Sequence, residues 1–206
     1  MNIKNYKKLV FIGDVHGKFS ELQKLIVDPE TLYFQIGDLG IGFPSLPYPK
    51  DFGDNFVFIR GNHDNPEVCR NHKNFLGDFG YIKSLDLFFL GGAWSIDWQY
   101  RINGVSWWQD EELSFTELKQ AVEEYVEIKP RFLVSHDCPA RLYRDSFFKK
   151  PFVIDTRTAQ ALDSCFEGHR PSRLIFGHHH ISKSKDVDGT DCRCLNELET
   201  FEMNLE

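Results

Sequence analysis

The chain has 206 residues, 41% of them hydrophobic and 27% charged, which suits one globular domain over residues 1–206 with a sizeable core. A net charge of −7 argues against a basic face for double-stranded nucleic acid. Five cysteines, at 69, 138, 165, 192 and 194, include no C-x-x-C pair, so we expect reduced thiols in a cytoplasmic protein rather than a zinc knuckle.

Taken in chain order, the N-terminal MNIKNYKKLVFIGD has only a short apolar run after its lysines, too few residues for a signal-peptide core. No stretch approaches the roughly 20 apolar residues of a membrane span, so no membrane partner is expected. Residues 8–13 read as a strand. Residues 18–27 read as a helix, with Phe19, Leu22, Leu25 and Ile26 on one face. A strand at 32–36 is followed by a Gly, Pro and Asp-rich loop at 39–54, and strands follow at 56–60 and 86–90. Ser114 and Glu117 form a capping-box pattern that opens a helix over 114–128, with Leu118, Ala121, Val122 and Tyr125 as its apolar stripe. A strand at 131–135 leads to an irregular or short-helical excursion at 138–152 that carries the solvated pair Lys149-Lys150. A helix over 156–167 is stopped by Gly168. After a strand at 173–177, the tail 190–202 has the pattern of a late strand. Short, nearly continuous apolar runs suit strands buried on both faces, and strand–helix alternation predicts an α/β fold.

Chemistry-bearing residues stand at the ends of these strands. The fragments are Gly13-Asp14-Val15-His16, Gly37-Asp38, Gly61-Asn62-His63-Asp64, Ser135-His136-Asp137 and Gly177-His178-His179-His180. In open α/β sheets, sites form at the carboxyl ends of strands. Alternation along an extended chain would point Asp14 and His16 at one ion, and likewise His178 and His180, with His179 turned away. Glycine before the ligand permits a sharp turn or a close backbone approach. A mixed oxygen and nitrogen set without thiolate disfavours structural zinc and suits Mn, Fe, Zn, Co or Ni. Asn62 offers an uncharged amide oxygen, and Asp38 can bridge two ions. His63, beside Asn62, is left as a proton donor to a leaving oxygen, with Asp64 placed to orient it.

The series GDVH, GD, GNHD, SHD and GHHH resembles the calcineurin-like metallophosphoesterase superfamily, in that family's order and over most of the chain. The resemblance implies a four-layered α/β/β/α sandwich with a dinuclear site at the strand ends. It implies one divalent ion on Asp14, His16, Asp38 and His180, and a second on Asp38, Asn62, His136 and His178. His63 would be the catalytic histidine. The implied activity is hydrolysis of a phosphoester, nucleotides included, by a metal-activated water, with manganese the first choice among the metals. Nuclease or cyclic-nucleotide phosphodiesterase activity is the alternative chemistry, and a catalytically silent scaffold the alternative of another kind. Gly37-Asp38-Leu39-Gly40 and the terminal Asp64 depart from the serine/threonine protein phosphatase branch. Residues 91–113 (GGAWSIDWQYRINGVSWWQDEEL) resemble a small bacterial and phage subgroup more loosely, and there Arg101 is placed to contact phosphate.

Other residues have plainer readings. His72 and His169 suit surface or capped-loop positions, and Arg60 a structural one. Trp94, Trp98, Trp107 and Trp108 read as core or pocket wall.

Overall fold

The computed structural model describes residues 6–144, 147–148 and 155–205; Lys149-Lys150 and much of the 138–152 excursion lie outside them. In order, the elements are β1 (Lys8–Ile12), α1 (Phe19–Leu25), β2 (Thr31–Ile36), β3 (Phe56–Ile59), α2 (Pro66–Arg70), β4 (Phe79–Ile82), β5 (Leu87–Leu90), α3 (Phe115–Ile128), β6 (Phe132–Ser135), α4 (Ala140–Arg144), α5 (Arg157–Gly168), β7 (Arg173–Phe176), β8 (Lys183–Val187), β9 (Thr190–Cys194) and β10 (Thr200–Asn204).

The strands form two sheets, ordered β10-β1-β2-β3 and β4-β5-β6-β7-β9-β8. Each has a parallel centre with antiparallel strands at its edge: β10 on β1, β4 on β5, and β8 on β9. Alternation sorts the apolar side chains into three layers of core. Leu9, Phe11, Leu32, Phe34, Leu87, Phe89, Val134 and Ile175 pack between the sheets. Val10, Ile12, Tyr33 and Phe58 turn the other way, onto Phe19 and Leu22 of α1 and Cys69 of α2. Phe88, Leu90, Leu133 and Leu174 face Leu118, Ala121 and Tyr125 of α3 and Leu162 and Phe166 of α5. The result is the expected α/β/β/α order of layers. It explains why the central strands read as unbroken apolar runs, since both their faces are covered.

Most of the sequence reading holds, with instructive exceptions. The capping box at Ser114 forms as expected: Ser114 Oγ accepts from Glu117 N, and the Glu117 carboxylate accepts from Ser114 N. Gly168 does not stop α5; it is the helix's last residue, and the cap is His169 in extended backbone. Its missing side chain serves packing instead, because a Cβ there would strike Val126 of α3. The strands β4 and β8 were not anticipated. In β8 the sequence KSKDV puts charge on an edge strand, where charge discourages sheet-to-sheet association. The signal for the β8–β9 hairpin was Asp188-Gly189, both at positive φ between the paired Val187 and Thr190. Helix α2 was not anticipated either; its signal was Asn65, whose side chain accepts from Glu67 N and Val68 N, with Pro66 opening the helix. All five cysteines are buried thiols.

Candidate metal centre

Both sheets deliver their carboxyl ends to one place. The link between them is His136, which follows β6. Its Nδ1 lies 3.0 Å from the carbonyl oxygen of Ile36, at the end of β2 in the other sheet. Donation to that carbonyl leaves Nε2 as the free ligand atom. Gln35, buried in β2, reinforces the same end by donating to the carbonyls of Gly13 and Gly37.

Four of the expected ligands do not reach the site by strand alternation. His16, Asp38, His178 and His180 all have positive φ, between 48° and 65°. Each strand has therefore ended, and the chain curls so that the side chain turns back over the strand end. Residues other than glycine adopt this conformation at a cost of order 1 kcal/mol or more, and such positions concentrate at functional sites. The glycines act mainly by absence. A Cβ on Gly61 would collide with Asp38 Oδ1, and one on Gly177 with Asp14 Oδ1.

Two groups of ligand atoms result, and Asp38 belongs to both: Asp14, His16, Asp38 and His180 in one, Asp38, His136 and His178 in the other. In the first, His16 Nε2 and His180 Nε2 are 2.9 Å apart, and His180 Nε2 is 3.0 Å from Asp14 Oδ2. Asp38 Oδ2 lies 3.9 Å from His16 Nε2, while its Oδ1 lies 3.3 Å from His136 Nε2. The two oxygens of one carboxylate thus face the two groups. Asn62 joins the second, its Oδ1 3.3 Å from His136 Nε2. Asp14 Oδ2 is buried without a well-directed hydrogen bond, surrounded instead by imidazole nitrogens. A buried carboxylate oxygen and imidazole lone pairs converging on one point fit a divalent cation.

The electrostatics agree. Burial opposes the charge on Asp14 and Asp38, but His16 and His180 hold the first, and His136 the second, well below the usual carboxylate range. Burial would depress His136, yet the neighbouring Asp38 carboxylate pushes it up to about 10. His178, for which burial dominates, falls to about 4. The pocket's field is negative enough to hold a proton on one imidazole, and a metal ion would displace that proton.

His63 lies outside both groups. Its ring stands 4.9 Å from that of His16, its Nε2 is 2.8 Å from Arg101 Nη2, and its backbone N–H donates to Asp38 Oδ1 at 2.7 Å. Burial lowers its pKa, and its Nε2 faces the Arg101 guanidinium. The expected role of Asp64 is corrected. Its carboxylate does not orient the His63 ring but accepts backbone N–H bonds from Leu39, Gly40, Ile41 and Gly61. Asp64 therefore ties the second fragment to the third. Arg101 is anchored by Asp97 at 2.7 Å and lines a cavity of about 250 Å³ with Asp38, Asn62, His63, Trp94 and His178.

Several supporting residues escaped the sequence reading. Asn62 Nδ2 donates to Ser95 Oγ at 3.0 Å, and Ser95 donates through its N–H and hydroxyl to the buried Glu111 carboxylate, at 2.8 and 2.6 Å. This relay turns the Asn62 amide oxygen toward the site. Asp137, the third residue of SHD, accepts from Tyr143 Oη at 3.0 Å and Cys138 N at 2.7 Å. His179 turns from the two ligand groups, as expected, toward Cys138 Sγ at 3.4 Å. Arg60 is structural: fully buried, it holds Asp78 and the Glu111 carbonyl. His72 and His169 are capped-loop histidines, on the carbonyls of Pro49 and Pro130. Trp108 is core, but Trp98 is 38% exposed and part of no core.

An α/β/β/α sandwich with a carboxylate–imidazole–amide cluster where its two sheets converge defines a class of metal-binding proteins. This chain belongs to one family of that class, the calcineurin-like phosphoesterases, whose family model matches residues 7–182. Among solved structures it is similar to a Thermotoga maritima protein determined by solution NMR, at 14% identity over 93% of this chain and 85% of that one, with a TM-score of 0.37. It is also similar to the phosphopantetheinyl hydrolase of Mycobacterium tuberculosis, at 11% identity over 94% and 90%, with a TM-score of 0.49. A third is GAP50, the anchor in the inner membrane complex of Plasmodium, at 12% identity over 92% and 72%, with a TM-score of 0.49. No curated protein sequence matches the chain. Among the described residues no helix is long and apolar enough to cross a membrane.

Proposed function

We propose that the protein, as one domain over residues 1–206, hydrolyses phosphoesters with two divalent metal ions, manganese first among them, in the reducing cytoplasm. The observation that carries this reading is the double position of Asp38, one oxygen toward each group of ligands. Asp14, His16, Asp38 and His180 would hold one ion, and Asp38, Asn62, His136 and His178 the other. Such a pair lowers the pKa of water and offsets the charge of a phosphoryl group.

The chain's own residues supply the rest. Arg101 presents a planar fork at the cavity, suited to phosphoryl oxygens. When it turns to them, His63 Nε2 loses its guanidinium neighbour, and the arriving dianion favours the imidazolium. His63 then donates its proton to the departing alkoxide as the bond from phosphorus to that oxygen breaks. Asp64 keeps the backbone of 39–41 and 61 in register, so that His63 and Asp38 keep their spacing.

A panel of phosphomonoesters and phosphodiesters assayed with Mn²⁺, Zn²⁺, Ni²⁺ and Mg²⁺ tests the reading. We expect hydrolysis that is lost on chelation and restored by Mn²⁺. A protein that binds metal yet cleaves no ester with any of the four would be a scaffold instead.

A further inference from the structure

Two hollows share His63 as a wall. The cavity of about 250 Å³ described above contains the charged groups Asp38, Arg101 and Asp137. The other hollow, about 300 Å³, is walled by His16, Gly40, Phe43, Ser45, Leu46 and His63. Apart from its two imidazoles it offers no ionisable side chain. Beside the hydroxyl of Ser45, its side walls are apolar: the ring of Phe43 and the branched end of Leu46.

This second hollow is built rather than incidental. Gly40 (φ 84°) is pressed against the backbone of His16 and Gly17, where any Cβ would collide with Gly17 N. Gly17 N donates to the Leu39 carbonyl at 3.0 Å, which closes the floor. Leu46 lies over Gly17, in the space a side chain there would need. Phe43 is held edge-on by the buried Trp108, ring centres 5.2 Å apart. Ordered aromatic and branched walls present a preformed apolar surface, which lowers the ordering cost of binding.

We propose that this hollow receives the alcohol portion of the substrate, and that the protein prefers phosphoesters of uncharged, apolar alcohols of arylalkyl size. The inference rests on the proposed hydrolase reading, in which His63 protonates the leaving oxygen. A leaving group must then lie against His63. The charged cavity already holds Arg101 and the metal-facing atoms of Asp38, Asn62 and His178, which suit the phosphoryl group. Both hollows touch His63, but Trp94 and Ile96 of the first stand among the charged groups Asp38, Arg101 and Asp137, so the second is the less charged place for the organic part. A zwitterionic or multiply charged alcohol would surrender its hydration to walls whose only ionisable groups are two imidazoles already engaged in the site, a penalty that an apolar one avoids. Apolar area removed from water is favourable there instead.

The test compares ethyl phosphate with 2-phenylethyl phosphate on the Mn²⁺-loaded protein. Both release a primary alkoxide of similar basicity, so the ratio of kcat/KM reports the organic group rather than leaving-group chemistry. We expect 2-phenylethyl phosphate to be favoured by at least about 10-fold, the size of discrimination an apolar pocket gives, and phosphoserine to rank below ethyl phosphate. Leu46→Ser should bring the ratio toward one, whereas Ile96→Ser, in the charged cavity, should not. The corresponding phosphonates, used as competitive inhibitors of the wild-type protein, give the same comparison without any variant. Equal kcat/KM and equal inhibition for the two organic groups would overturn the inference and leave the hydrolase reading standing, as would a ratio abolished by Ile96→Ser alone. Failure to cleave any ester with any metal would remove the hydrolase reading, and this inference with it.

Discussion

Asp14, Asp38, Asn62 and His136 are buried at strand ends and fixed by hydrogen bonds to backbone or to one another. Ile96, Trp98, Tyr100, Ile102 and Val105 belong to a loop beside the same site and are exposed, Tyr100 by 90%. The first region is tightly packed because these four side chains are buried, with Gly61 and Gly177 pressed against Asp38, His136 and Asp14, and a wrong residue there has nowhere to move. The second region carries Arg101 but is otherwise open to water. On the proposed function, metal positioning would fall to the scaffold and substrate contact to loops, the usual division between a rigid frame and variable function. Substitutions should separate the two regions by the size and kind of their effects.

The largest effect is expected from Asp38→Asn. Removing the charge of a group that faces both sets of ligands should reduce activity to background and weaken both metal-binding steps, read by metal titration. His63→Ala should instead keep both metals and lose roughly 10²–10⁴-fold in kcat, the usual contribution of general acid catalysis. That loss should be smaller on a nitrophenyl ester than on an alkyl ester, because nitrophenolate needs little protonation. Equal losses on the two esters would move His63 from the leaving oxygen to the phosphoryl oxygens.

Glu111→Gln tests the relay through Ser95 to Asn62. Partners behind a metal ligand are typically worth about 10–100-fold in metal affinity, and the loss should fall on one of the two binding steps only. The smallest effect belongs to the exposed loop. Tyr100→Ser should change stability by no more than about 0.5 kcal/mol and leave metal binding as it was. A strong loss of metal affinity in that variant would erase the distinction between frame and loop.

The same distinction decides what the sequence revealed. That Asp14, Asp38, Asn62, His136, His178 and His180 come together was legible because each follows a continuous apolar run, a pattern that comes from burial on both faces. The central strands were legible for the same reason. How the site residues' side chains turn back over the strand ends was not, because left-handed backbone at His16, Asp38, His178 and His180 leaves no trace in residue spacing. Asp64 was misplaced by adjacency: next to His63 in sequence, its side chain points into the backbone of 39–41. Ser95 and Glu111 were missed because a hydrogen bond across sixteen residues of irregular chain has no periodic signal. The edge strands β4 and β8 carry polar or exposed positions and so lack the apolar run that marked the others.

The central claim is that Asp38 stands between two ions, and anomalous diffraction from Mn²⁺-loaded crystals tests it most directly. We predict two anomalous peaks, one within coordinating distance of Asp14, His16 and His180, the other of Asn62, His136 and His178, with Asp38 reaching both. A single peak, or peaks that leave Asp38 uncoordinated, would contradict the account.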